Sequence, residues 1–313
     1  MAHKETLSDI LPLEEEYPTD STDQERIRNV AVIGFGTMGE GIAQTISEKG
    51  LNVKIIENTS ENLEQGMRSL NASMDREIAK WGMTESDKRA ILSRIAGSLD
   101  LHDVEDADLV IEAITEDLEK KQKLFKDLDA ISGPEVVLIT NTSSLSITEI
   151  AAVTDRPERI IGMHFLNPVP KIPVVELVRG LRTSDETFNV VKQFAEAIDK
   201  TAIEVFETPG YVTTRVIIPL LNEAMHVLME GVATAEGIDT AMKLGFNLNM
   251  GPLALSDHIG LDVVMTWMEN LFHEYGESKY RPCPLLRKLV RAGNLGCKTG
   301  KGFFTYTSEG IEK

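Results

Sequence analysis

Residues 29–58 read NVAVIGFGTMGEGIAQTISEKGLNVKIIEN, and the parsing of this stretch decides the fold. NVAVI is a short, β-branched apolar run, the texture of a strand buried on both faces. It passes directly into Gly34, Gly36 and Gly39, spaced GxGxxG, then into a helical stretch ending near Gly50, and NVKII follows as a second strand. Strand, turn, helix and strand make one βαβ unit. GxGxxG alone matches by chance, but between a strand and a helix each glycine has a physical task. Gly34 makes the tight turn, Gly36 lets a pyrophosphate approach the backbone, and Gly39 allows the helix to pack closely on the strand. Thr37 and Met38 lie in the same turn, where the first N–H groups of the helix face the phosphates. Glu57 ends the second strand 23 residues after Gly34. A carboxylate there accepts ribose hydroxyls and repels a 2′-phosphate. With no arginine in Asn58-Thr59-Ser60, the expected cofactor is NAD rather than NADP.

The alternation continues downstream. DLVIEAI (108–114), EVVLIT (135–140), RIIGMHF (159–165), VVELV (174–178) and AIEVF (202–206) read as further strands, with helical periodicity over 60–96 and 117–131. The first helical stretch is interrupted near Gly82 and restarts at the capping-box-like Thr84-Glu-Ser-Asp87. This pattern predicts an α/β fold, a Rossmann-type, doubly wound, mostly parallel sheet. After Pro209 the texture changes. Residues 211–230, 234–244, 252–273 and 284–292 read as helices, with no strand before the glycine-rich GCKTGKGFFTY end. Three parts are expected: an acidic extension (1–27), an NAD-binding domain (28–206), and an all-helical C-terminal domain (207–313) for substrate binding and dimerisation.

Composition sets outer bounds. A chain of 313 residues, 42% hydrophobic, has enough apolar material for two cores. Thirty-two Lys+Arg against 50 Asp+Glu give a net charge of −18, which argues against sequence-independent nucleic-acid binding and against anionic membrane surfaces. No run approaches the ~18 apolar residues of a membrane span. Cys283 and Cys297 form neither a CxxC motif nor a disulfide framework, as in a reducing cytoplasm. The first 28 residues carry eight acidic and three basic side chains, unlike a signal or transit peptide, with one short helix expected at Thr6–Leu13.

A dinucleotide domain followed by a helical one points to a dehydrogenase, which needs a base for the hydroxyl proton. There is no HExxH and no close histidine pair of metal-ligand spacing. His226 and His273 fall in helices, and His258 in LSDHIGLD is ambiguous. His164 ends a sheet strand, where open α/β sheets bind ligands. Glu176 on the following strand is placed to hold its other ring nitrogen. The competing reading is a core histidine beside a solvated strand glutamate.

Several segments together resemble the L-3-hydroxyacyl-CoA dehydrogenases, closest to the short 3-hydroxybutyryl-CoA type. They are NTSSLSIT (141–148), MHFLNPVP (163–170) with VVEL, ETPGYV (207–212), GIDTAMKLGFNLNMGPLALSDHIGLD (237–262) and KTGKGFF (298–304). The resemblance covers about residues 28–306. It implies NAD as cofactor, an acyl-CoA substrate and a homodimer built through the C-terminal helices. It also implies His164 as catalytic base, Glu176 as its carboxylate partner, Ser143 as a substrate-binding hydroxyl and Asn167 as a residue shaping the site. Glu116 and Lys121 match positions on the nicotinamide side. An ST turn at Ser143 or Ser144 capping the next helix, an ordinary Asn-Pro turn, and an exposed helix start are the respective alternatives.

One position departs from the pattern. Where the family carries PGFxxNR this chain has PGYVTTR, so Thr214 replaces an asparagine that contacts substrate. A hydroxyl offers fewer simultaneous hydrogen bonds than an amide. This leaves room for a free hydroxy acid as substrate, and a non-catalytic NAD-binding homologue is the reading of another class. Arg68, Arg76, Lys80, Lys88, Arg89 and Arg94 form the most basic local surface and are candidates for the CoA tail.

Overall fold

The computed structural model describes residues 27–307 and the backbone of 310–311. The helix expected at Thr6–Leu13 lies outside them. The first half runs β1 (Asn29–Ile33), α1 (Thr37–Glu48), β2 (Asn52–Ile56), α2 (Ser60–Ala79), α3 (Glu85–Leu92), β3 (Ile95–Ser98), β4 (Leu109–Glu112), α4 (Leu118–Ile131), β5 (Val137–Thr140), α5 (Ile147–Ala151), β6 (Ile160–Phe165), β7 (Val174–Arg179), α6 (Asp185–Ala197) and β8 (Thr201–Phe206). These strands form one sheet in the order β3-β2-β1-β4-β5-β6-β7-β8. The first six follow the doubly wound order, with the direction of winding reversing between β1 and β4. Every neighbouring pair is parallel except β6–β7.

Alternation along each central strand feeds two cores. Val30 and Val32 of β1 face one side with Leu109, Ile111, Val137 and Ile139. Ala31 and Ile33 face the other with Val110 and Leu138. That is the period-2 geometry of a strand buried on both faces. Several helices begin where a side chain satisfies their first amides. Thr59 accepts from Asn62 N–H before α2, Asp117 from Lys120 N–H before α4, and Ser184 from Thr187 N–H before α6. Thr84 and Asp87 form the full reciprocal box before α3, as their spacing predicts.

The second half is α7 (Thr213–Met229), α8 (Ala235–Phe246), α9 (Pro252–Ile259), α10 (Leu261–Tyr275) and α11 (Pro284–Arg291), packed around a third core that includes Leu221, Met225, Val264, Met268 and Leu286. Three expectations are corrected. The helical reading of 60–96 overran β3, because a four-residue edge strand carries too little alternation to announce itself. The single helix read over 252–273 is two, broken at Gly260, whose φ of +104° only glycine adopts readily. The C-terminal domain expected to be all-helical also ends in a two-residue antiparallel pair, β9 (Tyr306–Thr307) and β10 (Gly310–Ile311).

That end is held by one buried carboxylate. Asp257 of α9 accepts the N–H groups of Phe303 and Phe304, both at 2.9 Å, and the Tyr306 hydroxyl at 3.0 Å. A Cβ at Gly302 would lie 1.9 Å from Asp257 Oδ1, which explains the glycine. Asp257→Ala strands two enclosed amides and should cost about 2–3 kcal/mol. Urea unfolding checks this; an unchanged midpoint would show that the C-terminal turn contributes nothing to global stability.

Candidate active site

The sheet places the ends of β1, β2, β4, β5 and β6 along one edge, and the expected site residues follow them. Gly34 sits at φ +95° and a Cβ there would meet the Ala113 carbonyl oxygen at 2.8 Å. A Cβ on Gly39 would lie 2.0 Å from the Gly34 carbonyl oxygen. Gly36, by contrast, would meet nothing within 4 Å, so its backbone faces open space at the N-terminus of α1. Thr37 and Met38 supply the first turn of that helix. Glu57 follows β2 and turns toward the glycine loop, accepting Phe35 N–H at 2.7 Å and Asn58 N–H at 3.0 Å. A tight turn, an open approach and an anchored carboxylate fit the pyrophosphate and adenosine ribose of NAD.

At the far side of the same edge His164 and Glu176 stand directly opposite each other in the antiparallel β6–β7 ladder. His164 Nδ1 lies 2.7 Å from Glu176 Oε2, and the two residues are only 4% and 1% exposed. Glu176 is therefore not the solvated strand glutamate of the competing reading: it points inward at the His164 ring. Its other oxygen accepts Val212 N–H at 3.0 Å and Thr213 N–H at 2.8 Å, and the Thr213 hydroxyl donates to Oε2 at 2.8 Å. The carboxylate thus caps α7, with the positive end of the helix dipole beside it. Burial works to raise the Glu176 carboxyl, but the His164 hydrogen bond and charge and the Thr213 donors outweigh it. Its pKa falls below the ordinary glutamate value. Tyr211, at φ +49°, wedges its ring 5.6 Å from the His164 ring and donates its hydroxyl to the Leu145 carbonyl.

Between these ends lies the loop after β5. Glu116 Oε1 collects the Thr142 hydroxyl at 2.5 Å, the Ser143 and Ser144 N–H groups at 3.0 and 3.2 Å, and both serine hydroxyls at 3.3 Å. The next helix, α5, is capped by Ser146, so neither Ser143 nor Ser144 serves as its cap. Asn141 Oδ1 accepts Phe165 N–H at 3.1 Å, tying this loop to the strand of His164. Lys121 is not an exposed helix start: its side chain is fully enclosed, 2.6 Å from Glu112 and 3.6 Å from Glu116. Glu112 also accepts the Thr140 hydroxyl at 2.6 Å and Ile114 N–H at 2.7 Å. Burial raises its carboxyl pKa, against the pull of Lys121 and Thr140.

Asn167 lies just beyond β6, exposed and joined to Pro168 by a cis peptide bond. Lys200, buried, donates to the Val169 and Ile172 carbonyls at 2.6 and 2.7 Å and so pins the loop that Asn167 opens. Thr214 is 2% exposed in the first turn of α7. The residue that engages the pair is its neighbour Thr213, which sequence reasoning passed over. The same holds for Tyr211, Glu112, and the α10 side chains Trp267 and Asn270, which donate to Ser143 Oγ and Ser144 Oγ at 3.1 and 3.0 Å. Two of these left a trace in the chain: Thr213, as the first polar residue of a helix after Pro-Gly, and Glu112, as an ionisable residue in the apolar strand LVIE. Of the six basic candidates, Arg68, Lys88 and Arg94 are committed to internal partners. The side chains of Arg76, Lys80 and Arg89 make no hydrogen bond or salt bridge among the described residues, with Arg76 acting at longer range on Glu40 and Glu77 and Lys80 on Glu77.

A buried histidine–carboxylate pair sharing a sheet edge with a dinucleotide turn suits hydride chemistry, and the class so defined is the NAD-linked dehydrogenases. Comparison narrows it further. Residues 29–208 match the family model described as 3-hydroxyacyl-CoA dehydrogenase, NAD binding domain, and residues 210–306 match 3-hydroxyacyl-CoA dehydrogenase, C-terminal domain. The chain belongs to the 3-hydroxyacyl-CoA dehydrogenase family. It is 50% identical over 280 residues to the "Probable 3-hydroxybutyryl-CoA dehydrogenase" of Bacillus subtilis, covering 90% of this chain and 98% of the relative. It is 45% identical to 3-hydroxybutyryl-CoA dehydrogenase of Bradyrhizobium diazoefficiens, covering 90% and 96%. Among solved structures, (S)-3-hydroxybutyryl-CoA dehydrogenase from Ralstonia eutropha superposes with a TM-score of 0.83 at 47% identity, covering 90% of this chain and all of that one.

Two outcomes test the site's electrostatics. Because the Glu176 pKa is lowered in the folded state, its contribution is complete above the unfolded value near 4.5 and is lost as pH falls through the folded value. Glu176→Gln should therefore be less stable at pH 7 and show a shallower loss of stability below pH ~4.5 in urea titrations; parallel curves would contradict the pairing. Lys121→Met leaves Glu112 enclosed without its counter-charge and should cost about 3–5 kcal/mol. Adding Glu112→Gln should recover most of that cost in the same unfolding assay.

Proposed function

We propose that the chain interconverts 3-hydroxybutyryl-CoA and acetoacetyl-CoA, with His164 moving the proton and Glu176 holding His164. The observation that supports this best is the buried pair itself. With Nδ1 engaged by a carboxylate, the neutral ring carries its proton on Nδ1, and Nε2 is the atom left to accept from a substrate hydroxyl. Bound NAD supplies the hydride acceptor. As His164 becomes charged, the Glu176 carboxylate beside it stabilises the imidazolium, and the N-terminus of α7 keeps that carboxylate ionised. Ser143 and Thr214 are assigned to the substrate oxygen, Asn167 to the wall of the site, and Gly34, Gly36, Thr37, Met38, Gly39 and Glu57 to the dinucleotide. Glu116 is assigned to the nicotinamide side, with Lys121 behind it. Arg76, Lys80 and Arg89 are free to meet the phosphates of a CoA tail.

The same reading divides the chain at about residue 207 and makes 207–313 the substrate-binding and dimerisation domain. Supporting a homodimer, α7 and α8 border an apolar groove of about 440 Å³ that includes Leu220, Val227, Ala241 and Met242. The same helices expose Val216, Leu244 and Phe246. Among the described residues no helix is long and apolar enough to cross a membrane. Both cysteines are free, which supports a place in the reducing cytoplasm.

NADH oxidation should be faster with acetoacetyl-CoA than with free acetoacetate or longer 3-oxoacyl-CoA substrates, and faster than with NADPH. A preference for the free acid would move the substrate class. His164→Gln should lower kcat by about 10²–10⁴-fold while NADH binding is kept; a loss below tenfold would remove His164 from the proton-transfer role.

A further inference from the structure

The serine loop is held from two sides, and one of them belongs to the second half of the chain. Trp267, Asn270 and Leu271 lie at i, i+3 and i+4 on α10 and share one face. Trp267 Nε1–H donates to Ser143 Oγ at 3.1 Å, and Asn270 Nδ2–H donates to Ser144 Oγ at 3.0 Å. Leu271 Cδ2 occupies the space where a Cβ on Gly210 would sit, at 2.7 Å. The same face of α10 therefore touches both loops that flank the His164–Glu176 pair: the serines, and the Pro209–Tyr211 turn.

We propose that Trp267 is a positioning residue for the reaction, clasping Ser143 so that its hydroxyl proton is aimed at the substrate oxygen; this rests on the role given to Ser143 above. A serine hydroxyl has one proton and two lone pairs. The indole N–H takes up a lone pair, which fixes the oxygen and leaves the proton to point elsewhere. In this structure the proton goes to Glu116 Oε1 at 3.3 Å, a long contact for O–H···O. An oxygen gaining negative charge as hydride arrives is a stronger acceptor and takes the proton's hydrogen bond over. Donation from the indole also polarises the hydroxyl, because linked hydrogen bonds strengthen one another. Asn270 acts on Ser144 in the same way, so the loop is held at two points and cannot turn about one.

Trp267→Phe keeps an aromatic ring on α10 but removes the indole N–H together with part of the side chain's volume, so the Ser143→Ala background separates the lost donor from the lost packing. In acetoacetyl-CoA reduction it should lower kcat about tenfold, the scale of one net hydrogen bond, with the KM for NADH unchanged. In a Ser143→Ala background the same substitution should change kcat by less than about twofold. An equal loss in both backgrounds, or no loss in either, overturns the proposal. A second measurement is independent of turnover. The chain has two tryptophans, and Trp81 is 96% exposed, so two indole N–H resonances are expected. Ser143→Ala should shift the Trp267 resonance and leave that of Trp81 in place. An unmoved Trp267 resonance also overturns the proposal. If the wild-type chain fails to reduce acetoacetyl-CoA, the functional reading falls, and the resonance decides the clasp by itself.

Discussion

A single carboxylate, that of Glu176, joins the parts of this molecule. It is buried, so every lone pair facing protein needs a donor. One donor is the His164 ring on the neighbouring strand, and the others are two backbone amides and a hydroxyl at the start of α7. The antiparallel β6–β7 pairing is what brings histidine and glutamate face to face. A parallel β7 would have needed a crossover and could not place a residue twelve positions away directly opposite. The first helix of the second half begins at this carboxylate, so the His164–Glu176 pair and the junction between the halves are one object.

A second carboxylate network stands beside it. Glu112 and Lys121 neutralise each other inside the sheet edge, and Glu116 organises the serine loop. Both networks lie along the sheet edge formed by the carboxyl ends of the parallel strands, the Glu112 network beside the switch point at β4 and the Glu176 network two strands away at β6 and β7. Buried charge is costly in an apolar interior, and here each charge is offset by a partner or by amide donors. The charges also depend on one another, which fixes the geometry of the side chains around them.

Thr214, the departure from the family pattern, lies in the segment whose preceding residue, Thr213, holds Glu176. Both threonines occupy the first turn of α7, but helical rotation of about 100° per residue separates their directions. Only Thr213 reaches Glu176. The chain gives no sign of which of two adjacent threonines turns toward a strand 37 residues earlier. Likewise Trp267 and Asn270 read as ordinary members of an amphipathic helix, because their partners lie more than 120 residues away.

What the chain alone determined is whatever local physics writes locally. The β-branched runs of the central strands, the glycines that only a tight turn and close packing require, the Thr84–Asp87 box and the carboxylate ending the second strand all rest on neighbours within about 25 residues. His164 and Glu176 were legible for the same reason, since an ionisable residue in an apolar strand is conspicuous. What only the tertiary structure decided is pairing across distance: the enclosure of Lys121, the capping of α7 by a strand glutamate, and the hold of α10 on the serines. Those outcomes depend on which donor meets which buried acceptor, and chain folding, rather than sequence proximity, makes that choice.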